Sequence, residues 1–175
     1  MQEIKFSPLI EENKIQKRVQ ELGKQITKDY EGKDLVCICV LNGAFMFFSD
    51  LIREIDCDFK CAFLGLSSYQ GTQSQGEVKI KLDLSRSIID KDVLIVEDIV
   101  DTGTTIDSLL GLLQTKKPKS LSVATLLHKP QAQKNDIKPD YVGFEIGNDF
   151  VVGYGLDYNQ KYRSLPYIAL VQNIN

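Results

Sequence analysis

The chain has 175 residues, 43% of them apolar, which is enough to bury a core and suits a single domain over residues 1–175. Its net charge is −3 and its pI is about 5.2, and its basic residues are scattered, so the composition argues against a nucleic-acid partner. No N-terminal stretch resembles a signal peptide and no apolar run could span a membrane, so we expect a cytosolic protein without a membrane partner.

The first predicted element is a helix. Ser7-Pro8 has the order of a cap followed by a proline at the first helical position. Gly32 indicates that the helix ends at about Tyr30. Its apolar face repeats at helical spacing through Ile15, Val19, Leu22 and Ile26.

A strand, a turn and a second helix are predicted next. The apolar run from Leu35 to Val40 predicts a buried strand, and the pair Asn42-Gly43 predicts a tight turn after it. This pair is either only a turn or a second anion site at the sheet edge. The helix that follows presents the apolar residues Phe45, Phe48, Leu51 and Ile52.

Four cysteines fall in this part of the chain. Cys37 and Cys39 share one face of the predicted strand, and Cys57 and Cys61 flank three residues. Neither pair has the CxxC spacing of a structural zinc site, and the single histidine adds few ligands. We therefore expect reduced, mostly buried thiols.

Two further strands are predicted over Phe59–Leu66 and Val78–Leu84, the second with alternating apolar and polar residues. The polar segment between them, SSYQGTQSQGE, is too hydrophilic to pack and too long for a simple hairpin. Such a loop is either a disordered segment or a lid over a functional site.

The run VLIVEDIVDTGTT, from Val93 to Thr105, holds the densest group of candidate functional residues. Val93 to Val96 predicts a parallel strand buried on both faces, after which Glu97 and Asp98 would lie in the crevice beyond the strand end. The threonines then stand at a helix start, where free N–H groups and hydroxyls can bind an anion and Gly103 permits close approach. Taken singly, these residues are also ordinary helix caps. The helix itself is indicated by Ile106, Leu109, Leu110 and Leu113.

Three acids and three threonines within nine residues, directly after a buried strand, resemble the phosphoribosyl pyrophosphate (PRPP) motif of the type I phosphoribosyltransferases. Neither a Walker A loop nor a GxGxxG fingerprint is present. The resemblance implies an α/β fold, a Rossmann-like parallel sheet flanked by helices with a small hood formed by the terminal segments. It also implies that Glu97 and Asp98 contact the ribose hydroxyls and Mg2+. The implied 5′-phosphate loop consists of Asp101, Thr102, Gly103, Thr104 and Thr105.

The same resemblance assigns roles to two earlier segments. In the purine members, the position of Asn42 and Gly43 makes a peptide turn that contacts pyrophosphate, although the family often has lysine where this chain has Asn42, so only the backbone role carries over. Ser68 and Tyr69 match a Ser-Tyr pair of a mobile active-site loop, here residues 68–79. Closure of that loop would shield a reactive sugar cation from water.

A strand over Ser120–Leu127 ends in His128 and Lys129. Composition alone predicts a histidine at a surface strand end and a solvated lysine. A lysine at this position donates to the exocyclic oxygen of the purine in the hypoxanthine-guanine members, and the resemblance implies that role for Lys129.

Residues 139–163 resemble the base-binding segment of those members. Phe150 matches the aromatic ring that stacks on the purine, and Val151 offers backbone hydrogen bonds to the base. Asp157, within the same purine-binding segment, matches an acid that coordinates magnesium on the pyrophosphate side, and Arg163 matches a contact to the departing pyrophosphate. Without the resemblance, the pattern of this segment indicates only that Val151, Val152 and Tyr154 pack in the core and that Arg163 pairs with a surface acid.

The implied reaction is the Mg2+-dependent transfer of the 5-phosphoribosyl group from PRPP to N9 of hypoxanthine and guanine, a step of purine salvage that yields IMP or GMP and pyrophosphate. Two magnesium ions are implied, and Asp101 would handle the proton at the purine N7. The resemblance also implies a homodimer or homotetramer.

Three other functions are open on the same residues: an RNA-binding regulator with this fold, a phosphoribosyltransferase for another base, and a flavodoxin-like structural or signalling domain. The acidic pI argues against the first. Lys129, Phe150 and Asp157 together disfavour other bases, of which xanthine is the hardest to separate from guanine. The threonine turn disfavours the third.

Overall fold

A computed structural model describes residues 5–68, 78–84 and 86–172 of the chain. Within these ranges the chain forms nine strands and three helices. In chain order they are β1 (Lys5–Ile10), α1 (Glu12–Tyr30), β2 (Leu35–Leu41), α2 (Phe45–Arg53), β3 (Phe59–Ser68), β4 (Val78–Leu82), β5 (Asp92–Val100), α3 (Thr104–Thr115), β6 (Ser120–His128), β7 (Tyr141–Glu145), β8 (Val151–Val152) and β9 (Ile168–Gln172).

The larger sheet has six strands in the order β4-β3-β2-β5-β6-β7. Five of them run parallel, and β4 pairs antiparallel with β3 at the edge. The first six residues of β2 are all buried, as are the first five of β5, because both faces of a parallel sheet are covered by helices. The α/β fold predicted from the alternating strand and helix patterns is confirmed.

The helices lie on opposite faces of this sheet. Leu22 of α1 and Phe47 of α2 belong to one buried cluster with Leu94 of β5. Leu109 of α3 packs in the other cluster with Ile95 of the same strand. The connections that leave β2 and β5 therefore cross opposite faces, and a crevice opens between the carboxyl ends of these neighbouring strands, where ligands of open α/β sheets bind.

The terminal segments form a second, smaller sheet in the order β1-β9-β8. The prediction that Ser7-Pro8 caps the first helix is wrong, because both residues lie in β1, where Ser7 pairs with Leu170 and Pro8 with Ala169. The register shifts after Pro8, where a residue without an N–H is tolerated. Helix α1 begins at Glu12, and no side chain caps it.

The four cysteines are free, as expected. Cys37 and Cys39 are buried in β2, whereas Cys57 and Cys61 are only half-buried. Burial raises the pKa of all four thiols, which keeps them protonated at neutral pH. No helix among the residues that the structure describes is long and apolar enough to cross a membrane.

Candidate active site

Two adjoining cavities lie at the carboxyl ends of the parallel strands. One, of about 200 Å3, is lined by the turn between β5 and α3. The other, of about 180 Å3, is lined by the turn after β2 and by Leu66 of β3. Glu97 and Thr105 line both cavities, so the two form one trough across the crevice. A larger cavity, about 760 Å3, lies at the opposite end of β2 and β3 and contains none of the predicted site residues.

The turn from Asp101 to Thr105 forms one wall of this trough. Gly103 has a φ of 79°, a left-handed conformation that glycine adopts without steric cost, and α3 begins at Thr104 as predicted. The Thr102 hydroxyl accepts a hydrogen bond from the Thr104 backbone N–H at 3.4 Å. Because the first N–H groups of a helix have no intrahelical acceptor, this turn presents donors and a positive dipole end to an anion.

Glu97 and Asp98 lie beneath that turn, but within a strand. The prediction that the strand ends at Val96 is wrong, because β5 continues to Val100 and stays paired with β6 through both Glu97 and Ile99. The two acids are therefore fixed by sheet hydrogen bonds rather than carried by a loop.

The two carboxyl groups interact with each other. Burial raises the pKa of Glu97 well above its usual value, and the neighbouring charge of Asp98 and their shared hydrogen bond raise it further. Burial also raises the pKa of Asp98, against the opposing effects of hydrogen bonds from Glu97 and from the Ile99 N–H at 2.9 Å. Without a cation, the pair holds a proton at a pH where isolated carboxyls are ionised.

The chemistry of this pair fits Mg2+. The Oε2 atom of Glu97 is out of contact with solvent and has no hydrogen-bond partner in the described structure, and magnesium prefers oxygen ligands. No group of three or more His, Cys, Asp or Glu side chains in the described ranges is arranged to hold a metal. An ion here would therefore take most of its ligands from substrate and water.

Asn42 and Gly43 face the acids from the end of β2. The Leu41–Asn42 peptide bond is cis. A Cβ atom on Gly43 would lie 1.6 Å from Asp98 Oδ2, so only glycine leaves room for that carboxylate. Gly155, which sequence reasoning missed, packs on the other side: its Cβ would lie 2.0 Å from the Gly43 carbonyl oxygen, and its φ is 103°. The repeated glycines of GYG were the available signal for this close approach.

Asp101 lies beside Lys129, whose Nζ is 3.3 Å from its Oδ2. The expectation of a solvated lysine from composition is wrong, because Lys129 is only 6% exposed. The expectation of a surface histidine is wrong as well, since His128 is 7% exposed. Both residues are still held by the sheet, since the Lys129 N–H donates to the Val100 carbonyl and the His128 carbonyl accepts from the Ile146 N–H.

The predicted base-binding segment borders the same edge. Phe150 is 44% exposed and makes an edge contact with Tyr158, and an exposed aromatic ring can stack on a planar ligand. Val151 is buried at the start of β8. Arg163 forms an ion pair with Asp157 at 2.7 Å and donates to the Gly155 carbonyl.

The charge of Arg163 partly opposes the rise that burial causes in the pKa of Asp98. Val152 and Tyr154 pack in the core. The structure thus brings most of the predicted site residues to one edge of the sheet. Tyr69 lies outside the described residues, as does most of the predicted mobile loop, and Ser68 is the last residue of β3.

Comparisons with known proteins agree with this arrangement. A family model described as a phosphoribosyl transferase domain matches residues 9–159. The hypoxanthine-guanine phosphoribosyltransferase of Staphylococcus aureus is 53% identical over 165 residues, which are 94% of this chain and 92% of that protein. A crystal structure of a hypoxanthine phosphoribosyltransferase from Staphylococcus aureus superposes with a TM-score of 0.91 at 53% identity, covering 95% of this chain and 91% of that chain. A hypoxanthine-guanine phosphoribosyltransferase structure from Bacillus anthracis gives 0.91 at 45% identity, covering 98% of this chain and 99% of that chain.

Proposed function

The chain belongs to the phosphoribosyltransferase family and has the type I fold of that family, and on this basis we propose that it transfers the 5-phosphoribosyl group of PRPP to N9 of hypoxanthine and guanine. The products are IMP or GMP and pyrophosphate, and the pathway served is purine salvage. The observation that carries the proposal is the pairing of Asp101, in the anion-binding turn, with buried Lys129 at the end of the next strand.

In this proposal the turn from Asp101 to Thr105 binds the 5′-phosphate of PRPP. Its N–H groups, its threonine hydroxyls and the positive end of α3 supply the donors. Glu97 and Asp98 contact the ribose hydroxyls. The peptide of Asn42 and Gly43 binds pyrophosphate on the other side of the trough, and Arg163 stabilises the departing charge.

Lys129 indicates which base the protein uses. An ammonium group can donate a hydrogen bond to the 6-oxygen of hypoxanthine or guanine but has no acceptor to offer the 6-amino group of adenine. Phe150 stacks on the purine, Val151 contributes backbone hydrogen bonds, and Asp157 lies in the same segment. The relatives from Staphylococcus aureus and Staphylococcus epidermidis are named hypoxanthine-guanine phosphoribosyltransferases, after the same two bases.

Magnesium is the proposed cofactor, held by Glu97 and Asp98 on the ribose side and by Asp157 on the pyrophosphate side. When bound there, it would supply positive charge beside the pyrophosphate. The purine N9 forms the new bond to C1′, and the pyrophosphate leaves with the electron pair of the broken bond. Asp101 takes the proton that the purine loses at N7.

Residues 1–175 act as one domain, with the β1-β9-β8 sheet as the hood and residues 68–79, including Ser68 and Tyr69, as a lid. Four free thiols support a cytosolic location, where cysteines stay reduced. The active form is a homodimer or homotetramer, and PRPP, hypoxanthine and guanine are its partners.

Nucleotide formation tests the proposal directly. The protein is incubated with Mg2+, PRPP and one base at a time, and the ultraviolet absorbance is followed. Product from hypoxanthine and guanine, with none from adenine or uracil, is the expected result. Lys129→Gln should weaken the use of hypoxanthine more than the binding of PRPP. If no base gives product and the protein binds RNA tightly, the proposed enzymatic function is wrong and the protein is an RNA-binding regulator.

A further inference from the structure

The segment from Pro130 to Ile137 packs on the anion-binding turn. The Lys134 N–H donates to the Thr102 carbonyl at 3.0 Å. The Asn135 amide fills the space where Gly103 lacks a side chain: a Cβ atom there would lie 2.2 Å from Asn135 Oδ1 and 2.9 Å from Nδ2. The backbone of the turn is thus held by a hydrogen bond and by direct packing.

A chain of side-chain hydrogen bonds holds Asn135 in this position. Gln133 Nε2 donates to Asn135 Oδ1 at 3.1 Å and to the Ile137 carbonyl. Its Oε1 lies 2.9 Å from His128 Nε2. Since Gln133 uses its amide nitrogen for both donations, its oxygen is the acceptor, and the proton of His128 lies on Nε2.

The chain of hydrogen bonds begins at a buried residue, His128. His128 is 7% exposed, and it is the last residue of β6, adjacent to Lys129. The chain of hydrogen bonds therefore joins the buried end of a core strand to the surface of the anion-binding turn. A turn held in this way loses little backbone entropy when an anion binds, which lowers the cost of binding.

On the premise that this turn binds PRPP, which is the function proposed above, we propose that Gln133 and Asn135 are positioning residues for that substrate. They fix the Thr102–Gly103 backbone so that its N–H groups meet the 5′-phosphate already aligned. Neither residue takes part in the chemistry. Their loss should weaken PRPP binding and leave both the turnover of bound substrate and the binding of the purine nearly unchanged.

The test compares steady-state kinetics of the wild type with those of Asn135→Ala and Gln133→Glu. The second variant keeps an oxygen toward His128 but loses both donated hydrogen bonds, and Gln131→Glu, at an exposed position two residues away, controls for the added charge. We expect KM for PRPP to rise on the order of tenfold in both variants, about the free energy of one hydrogen bond. KM for hypoxanthine and kcat should change less than about threefold.

Melting temperatures identify a variant that fails to fold. If Asn135→Ala does not fold, the KM for PRPP of Gln133→Glu alone tests the positioning role. An unchanged KM for PRPP in folded variants overturns the positioning role, and so does an equal loss in the use of both substrates or an equal effect in Gln131→Glu. Calorimetric titration with PRPP and Mg2+ separates the positioning role from the proposed function. A wild type that binds PRPP without turnover contradicts the proposed reaction only, and weaker binding in the variants still supports the positioning role. A wild type that binds no PRPP overturns both.

Discussion

The ammonium group of Lys129 lies 3.3 Å from the Asp101 carboxylate, and the lysine side chain is 7% exposed whereas the aspartate side chain is 47% exposed. A buried cation is costly unless it is paired, so Asp101 compensates Lys129 in the free protein. The exposed part of the carboxylate still faces the trough. A single acid can therefore neutralise Lys129 in the free protein and still present an oxygen to a ligand in the trough.

Asp101→Asn removes the charge and the proton-accepting oxygen while it keeps the size of the side chain. We expect kcat with hypoxanthine to fall by roughly 10² to 10⁴, the range for loss of a general acid or base. Binding of PRPP should be largely retained, because the backbone N–H groups of the turn remain. Asp107→Asn, at an exposed position in the first turn of α3, is the control and should have near wild-type activity. Weak PRPP binding with unchanged chemistry in Asp101→Asn would contradict the assignment.

Phe150→Ala should weaken binding of the purine. Stacking of a base on an aromatic ring is worth about 1–3 kcal/mol, so KM for hypoxanthine should rise about tenfold or more, with little change in KM for PRPP. Phe63→Ala is the matched control, since Phe63 is 46% exposed and Phe150 is 44% exposed. Equal kinetic effects of the two substitutions would show that Phe150 does not contact the base.

Gly43→Ala should abolish most activity without unfolding the protein. The added methyl group would collide with Asp98 Oδ2 and push the carboxylate out of the trough. We expect weaker PRPP binding in the presence of Mg2+, measured by calorimetry. Gly111→Ala in α3 is the control: nothing lies within 4 Å of its Cβ, and it should stabilise the helix by about 0.5–1 kcal/mol. Normal PRPP binding by Gly43→Ala would rule out a role for the displaced carboxylate.

Glu97→Gln should stabilise the metal-free protein while it lowers activity. Because burial raises the pKa of Glu97 above the ordinary glutamate value of 4.5, the folded protein holds a proton that the unfolded chain releases above about that pH. Stability contributed by this group is therefore lost as the pH rises from there through the folded-state pKa. The variant lacks this loss, so near pH 8 its free energy of unfolding and its melting temperature should both exceed those of the wild type.

Thermal unfolding from pH 4 to pH 8, without divalent cations, measures this difference. The wild type and Glu97→Gln should diverge as the pH rises. Glu31→Gln, at an exposed position after α1, should follow the wild type throughout. A constant difference between wild type and Glu97→Gln at every pH would show that proton binding at Glu97 does not affect folding.

The sequence predicted the strand and helix units because their apolar periodicity is local. The runs at Leu35–Val40 and Val93–Val96 became buried parallel strands, and the threonines stand at the start of α3. The first strand was missed, since Ser7-Pro8 pairs with β9, where Gln172 lies 165 residues along the chain from Ser7. Local propensity contains no information about such a partner.

The candidate site was predicted as a set of residues rather than as a geometry. Chain order could not indicate that β5 continues through Glu97 and Asp98, because two acids in succession end an apolar pattern whether or not the backbone stays paired. Nor could it place Asn135 against Gly103 or Gly155 against Gly43, since these contacts join segments that are distant in the chain. Burial of Lys129 likewise depends on contacts with a segment distant in the chain, namely its ion pair with Asp101 and the hydrogen bond from its N–H to the Val100 carbonyl.

Gly155, Gly43 and Asp98 are stacked on one another, and they come from the turn after β8, from the turn after β2 and from the centre of the large sheet. This stack cannot form in a partly folded chain in which the two sheets are apart. A ligand of the acidic pair would bind only the complete native state, and it would suppress openings of both sheets together. Amide hydrogens of β8 and β9 should then exchange more slowly with solvent deuterium when PRPP and Mg2+ are present.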